Sequence, residues 1–251
     1  MFIHQKKILG YTLLLFISLS FPLSISAQTR DQVLELLWKG MGGRQSWEEA
    51  RYFMFSCETE LHDMIPGEHS YIWDRVNNNC RFEGTTNDQQ KLTVLFNTKT
   101  RAGKVYVNNS VIADSDSSSR WLKPILNAFY SDSFWLFPPK LIEAADVTAT
   151  NEQELIGSNR YYVVDIKIRR PNFGEFPSKL FIDTNTGRIF QWQAFANDGS
   201  VLYNFNTSSF KEVGGGLILP TNFADANSSV NISYPIVSAL INVEADKFTK
   251  P

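Results

Sequence analysis

The sequence predicts an α+β protein built on one curved antiparallel β-sheet with helices on one face. Three observations carry this. Helical spacing of apolar residues is confined to two segments, Asp31–Trp47 and a stretch from about Ser117. Most of the remainder alternates apolar and polar residues with a period of two, cut by evenly spaced Gly, Asn and Asp turn signals. Aromatic residues make up 14% of the chain and include 19 Phe, ample material for a large core.

The first residues read as an address. Lys6 and Lys7 precede an apolar run from Ile8 to Leu23, and "SISA" leads into the polar "QTRDQ". A positive start, an apolar centre and a small residue at the exit are the parts of a secretory signal, with cleavage expected after Ala27. Residues 1–27 are therefore expected to be removed, leaving 28–251 as one soluble, exported domain. The chain carries a formal charge of −2 with no block of like charge, so the electrostatic footprint of a nucleic-acid binder is missing.

Val33, Leu34, Leu37 and Trp38 form the apolar stripe of the first helix, and Gly40, Gly42 and Gly43 end it. "SWEEAR" is expected to add a last turn with Ser46 as its N-cap. Strands follow. "RYFMFSCETEL" places Phe53, Phe55, Cys57 and Leu61 on one side; "HSYIWDRV", "NCRFEG", "KLTVLFNT" and "KVYVNNSVIA" continue the pattern, with Asn77–Asn79 as a turn or bulge. The second helix, capped by Asp116 or Ser117, presents Trp121, Ile125, Leu126 and Phe129; Pro124 implies a kink or a later start. The second half is again strands, with "GSN", "TNTG", "NDG" and "GGG" as turns.

Cys57 and Cys80 suggest a disulfide in an exported protein. A hairpin turning at Ile65–Glu68 would set Cys57 opposite Asp74, leaving Cys80 roughly 20 Å away along a strand at about 3.3 Å per residue. A disulfide needs Cα atoms within about 7 Å. Only a bulge or fold-back at Asn77–Asn79 would join the pair, so two buried thiols are expected.

Catalytic signals are sparse. His62, Asp63, Glu68 and His69 surround "MIPG" and could converge on a metal or serve a hydrolase, but their spacing matches no zinc signature and polar loop tips are ordinarily solvated. No nucleophile elbow, metalloprotease helix or phosphate loop is present, and no cofactor is implied. What stands out is "SDSFWLFPPKL". Phe134, Trp135, Leu136 and Phe137 cannot all point one way from an extended segment, and Pro138 and Pro139 would stiffen the backbone after them. These side chains read as an apolar lip.

The export signal, the N-terminal helix and "YIWDRVNNNCRFEG" together resemble the early part of the periplasmic outer-membrane lipoprotein carrier (LolA-like) superfamily. There an aromatic strand meets a turn-like break and resumes with an Arg, the place Arg81 holds here. The helix leading into an aromatic-Pro segment, and "LFIDTNTGRIFQWQAFANDG" as a later hairpin, are similar to the same superfamily. The resemblance covers most of residues 30–248, in pattern more than in identity. It implies an unclosed half-barrel of about 10–11 strands with helices covering the concave side. It also implies a non-catalytic periplasmic carrier for a lipid, a lipoprotein acyl chain or another apolar ligand, acting as a monomer with transient contact at a membrane surface. The apolar residues expected to line the ligand are Phe53, Phe55, Trp73, Trp121, Phe134, Trp135, Phe137, Phe181 and Trp192. A second reading is a structural or interaction protein whose cavity is filled by its own side chains. A third is a hydrolase using His62 and His69.

Overall fold

The computed structural model describes residues 30–61, 65–144, 146–170 and 174–251. The leader and His62, Asp63 and Met64 lie outside the described residues. Helices α1 (Arg30–Gly40) and α2 (Arg44–Glu49) lead into β1 (Tyr52–Thr59), β2 (His69–Asp74), β3 (Asn79–Thr85), β4 (Lys91–Asn97), β5 (Gly103–Val107) and β6 (Ser110–Val111). Helices α3 (Ser115–Leu136) and α4 (Pro138–Ala144) follow. The second set is β7 (Asp146–Ile156), β8 (Asn159–Arg170), β9 (Gly174–Asp183), β10 (Ile189–Phe195), β11 (Val201–Gly214), β12 (Leu217–Asp225), β13 (Asn231–Ser233) and β14 (Val237–Leu240). A single turn of 3-10 helix, Ala245–Phe248, comes last.

The strands form one antiparallel sheet in the order β6-β5-β4-β3-β2-β1-β13-β12-β11-β10-β9-β8-β7. Its end strands β6 and β7 do not pair, so the half-barrel is unclosed. Strand β1 is the seam: Tyr52–Phe55 pair with β14, and Glu58 and Thr59 pair with β13. The architecture is the predicted one, but the sheet has 14 strands where about ten or eleven were expected. The surplus comes from elements such as β6 and β13, too short to show an alternation.

One core occupies the inner face. Alternate residues of strands such as β1 (Phe53, Phe55, Cys57), β4 (Leu92, Val94, Phe96) and β9 (Leu180, Ile182) enter it, together with Val33, Leu34, Leu37 and Trp38 of α1 and the apolar stripe of α3. Helix α1 closes one end of the sheet by backbone approach: a Cβ on Gly40 would lie 2.3 Å from the Gly187 carbonyl oxygen. Gly187 itself, at φ 73, ends the "TNTG" turn where an L side chain would be strained. Helix α2 starts earlier than its sequence suggests. Gly43 is its N-cap, and the Ser46 hydroxyl instead donates to the Gly42 carbonyl. Its far end is capped in space by Arg75, which donates to the carbonyls of Trp47, Glu48 and Ala50 and stacks on Trp47.

Helix α3 departs most from expectation. It runs 22 residues, starts at Ser115, and is capped by Asp114, whose carboxylate accepts from the Ser117 N–H at 2.7 Å. Pro124 lies inside it, and the helix carries on beyond. The presumed extended lip is helical: Phe134, Trp135 and Leu136 are its last turn, and Pro138 opens α4, a position proline favours because a first-turn N–H has no helical partner.

Arg81, the residue that carries the resemblance, sits at a hairpin re-entry as expected. Its guanidinium donates to the carbonyls of Lys247 and Lys250 and pairs with Glu83, tying the chain's last turn to β3.

Cys57 lies opposite His69, not Asp74, so the β1–β2 pairing is offset by five residues from the expected hairpin. Cys80 lies opposite Trp73, four residues further along β2 than His69, or about 13 Å at 3.3 Å per residue. Both thiols are buried and free. Burial raises both well above the ordinary thiol range; the Asp132 carboxylate adds to the effect on Cys57. Neither should react with an aromatic disulfide reagent in the folded protein, and both should after denaturation. The sign for stability follows. The unfolded chain sheds these protons above about pH 8.5 while the folded one keeps them, so stability falls as pH rises past that point. Denaturant midpoints measured on either side of it would show the drop.

Candidate functional site

The inner face divides into two aromatic groups, and the end of α3 is wedged between them. On one side Phe53 and Phe55 of β1 and Trp73 of β2 surround Phe137, whose ring centroid is 4.9 Å from that of Phe53 and 5.8 Å from that of Trp73. On the other, Trp192 of β10 lies 5.0 Å from Phe134 and 4.9 Å from Trp135, and Trp135 also meets Phe205 of β11 and Phe223 of β12. Successive residues at a helix end point about 100° apart, so Phe134 and Trp135, with Phe137 at the C-cap, find separate walls within one apolar cavity. All three are at most 5% exposed.

Of the residues expected to line a ligand, Phe53, Phe55, Phe134, Trp135, Phe137 and Trp192 belong to this core, and Trp73 and Trp121 pack against it. Phe181 is elsewhere. It points out of the opposite face, in a small cluster with Tyr161 and Val163, because β9 turns Leu180 and Ile182 inward. The alternation in "LFID" carries that information.

Of the set, Trp121 borders one open cleft and Phe55 a smaller groove. A cleft of about 390 Å³ lies along the first half of α3, lined by Ile65, Ser117, Arg120, Trp121 and Pro124. A smaller groove of about 180 Å³ is bordered by Phe55, Ser56, Ser70, Arg81 and Glu83.

Beneath α3 is a buried polar knot. His69, expected as a solvated turn residue, is the first residue of β2 and is 1% exposed. Its Nε2 faces the Ile65 carbonyl at 2.8 Å and its Nδ1 faces Asp132 Oδ2 at 2.9 Å. A carbonyl only accepts, so Nε2 carries a proton. The Tyr71 hydroxyl donates to the same Oδ2 at 2.7 Å, and the Tyr234 hydroxyl donates to the Asp132 carbonyl. Burial and then the Asp132 charge raise the Tyr71 phenol well above its usual range. Two sequence signals were available. His69 shares the period of Tyr71 and Trp73, and Asp132 follows Ile125 and Phe129 on the apolar stripe of α3.

Cys57, His69 and Asp132 are the residue types of a thiol nucleophile, its base and the base's orienting acid. Their chemistry here is different. Cys57 is fully buried with its thiol held protonated, and both His69 nitrogens already face partners. The knot fastens α3 to β1 and β2. Among the described residues no group of three or more His, Cys, Asp or Glu could hold a metal ion.

No family model matches the sequence. No curated protein matches it. Solved structures do. The chain is similar to a LolA superfamily protein of Nitrosomonas europaea, at 14% identity over 88% of this chain and 98% of that one, with a TM-score of 0.49. It is also similar to an outer membrane lipoprotein-sorting protein domain of Vibrio parahaemolyticus, at 9% identity over 88% of this chain and 97% of that one, with a TM-score of 0.47.

Proposed function

We propose that this protein is a non-catalytic carrier that shields the apolar part of a lipid, a lipoprotein acyl chain or a similar ligand, as a monomer outside the cytoplasm. The observation that carries the reading is the cleft beside α3. At about 390 Å³ it falls within the range of small-ligand sites, about 300–1,000 Å³, and Trp121 and Ile65 wall it at the margin of the aromatic core. Trp121 is only partly buried, so its truncation should leave the fold intact. Titration with dansyl-undecanoic acid is the test. Trp121→Ala should weaken binding about tenfold, equivalent to about 1.4 kcal/mol of lost apolar contact, with little change in denaturation midpoint. Wild-type protein that binds no such probe would sink the carrier reading.

The burial of Phe134, Trp135 and Phe137 favours a second reading, a structural or interaction protein that fills its own cavity. Native mass spectrometry after mild extraction separates the two: a retained organic mass supports the carrier, a clean apo mass the alternative.

Export belongs to the proposal, on the strength of Lys6, Lys7, the Ile8–Leu23 run and Ala27. N-terminal sequencing of secreted or periplasmic material should start at Gln28 or within a residue or two. Full-length chain confined to the membrane fraction would contradict it. In the carrier reading, contact with the membrane surface is transient, during loading and release.

A further inference from the structure

The cleft beside α3 changes character along its length. Its helical lining residues, Ser117, Arg120, Trp121 and Pro124, follow the i, i+3, i+4, i+7 spacing of a single helix face. From Ser117 to Pro124 the helix rises about 10 Å, at about 1.5 Å per residue, room for a headgroup and the first part of a chain. Trp121 packs against the aromatic core and Ile65 belongs to it, so one part of the cleft is apolar. Beside that part stands a cation. Arg120 is the one charged residue among the described lining residues.

Arg120 is exposed, and among the described residues no carboxylate forms an ion pair with it, in contrast to Arg44, Arg51 and Arg81. The acids at the start of α3 do not occupy the cleft. Neither Asp114 nor Asp116 lines it, and Asp114 is engaged with the Ser117 N–H. A guanidinium keeps its charge throughout the physiological range, and its planar fork of donors matches the oxygens of a carboxylate or a phosphate. A neutral amphiphile laid over Trp121 would strip part of the water from Arg120 and return nothing for it. An anionic head replaces that water with charge-assisted hydrogen bonds.

We infer that the cleft takes an amphiphile with a compact anionic head, a phosphate monoester or a carboxylate. The head sits on Arg120, and the chain runs along Trp121 towards Ile65 and the core. This rests on the carrier reading and adds the charge of what is carried.

The test is calorimetric titration at neutral pH with three ligands, all below micelle formation. Dodecyl phosphate and dodecanoate are anionic; dodecyl glycerol ether carries an alkyl chain on an uncharged head. Wild-type protein should bind both anions about fivefold more tightly than the ether, the upper end of what an exposed ion pair contributes. That preference should shrink at high salt, because the pair is open to screening. Arg120→Gln should bring both anions down to the level of the ether and leave the ether's affinity nearly unchanged, while Arg120→Lys should keep most of the preference. Arg120 is a surface residue, so neither change threatens the fold. Tighter binding of the phosphate assigns the head to a phospholipid and tighter binding of the carboxylate to a fatty acid; either order supports the inference. Wild-type protein that binds the ether as tightly as both anions, or a preference that survives Arg120→Gln, overturns it and leaves the carrier reading standing. Binding of none of the three overturns both.

Discussion

Asp132→Ala is expected to lower the unfolding free energy by about 2–4 kcal/mol, since it takes away the acceptor shared by two buried hydrogen-bonding groups, worth about 1–3 kcal/mol each. Asp132 is 2% exposed, and its Oδ2 meets both His69 Nδ1 and the Tyr71 hydroxyl. Without it neither His69 Nδ1 nor the Tyr71 hydroxyl keeps the carboxylate it faces, and both residues are only 1% exposed. A domain stability is typically about 5–15 kcal/mol, so the loss is a large share of the whole. Urea denaturation followed by tryptophan fluorescence reads it as a fall in midpoint at constant slope. Asp132→Asn keeps the shape and one acceptor and should cost less. The paired change His69→Leu with Asp132→Leu should recover part of the loss, since both partners of that contact are then apolar. A change of under about 1 kcal/mol for Asp132→Ala would mean the knot does not fasten α3 to the sheet.

Trp135→Ala should be at least as damaging, about 3–5 kcal/mol, as for other large aromatic truncations in a core. Its ring is in contact with Phe134, Trp192, Phe205 and Phe223, spanning β10, β11 and β12. Those neighbours sit on separate strands held by the sheet, so they cannot collapse into the space left behind, and the cavity persists. Thermal unfolding gives the stability loss, and the dansyl-undecanoic acid titration on the same protein gives the second readout. Large loss of stability with probe binding kept or improved fits a ring that fills the cavity. Small loss of stability with binding abolished would return Trp135 to an apolar lip.

Both residues show where reading the chain stopped short. The helix and strand types were legible. Val33, Leu34, Leu37 and Trp38 keep the helical spacing and all four are buried. "TNTG" turns between β9 and β10 with Gly187 at the positive φ such a turn requires. Arg81 marks the re-entry after the Asn77–Asn79 break, as its place in the pattern implies. Phe134–Phe137 were misplaced because an apolar run without polar gaps has no visible period, and Pro138-Pro139 is equally compatible with a stiff extended segment and with the start of a helix. His69 was misplaced because a shift of the turn by a few residues moves a residue from loop to strand, and a single-residue change of register reverses its face.

The sequence by itself determined the period of each element, and with it the fold class, because alternation and helical spacing are local properties of neighbouring residues. It favoured two unpaired thiols but left a fold-back at Asn77–Asn79 open, and the pairing of Cys57 with His69 and of Cys80 with Trp73 decided the matter. Only the tertiary structure decided that the end of α3 fills the half-barrel. It alone joined Asp132 to His69 across 63 residues, and left Trp192 Nε1 and Ser178 Oγ buried without a hydrogen-bond partner. Those outcomes depend on how a helix is set over a sheet, an arrangement fixed by the packing of side chains far apart in the chain, and no local pattern records which distant surfaces will meet.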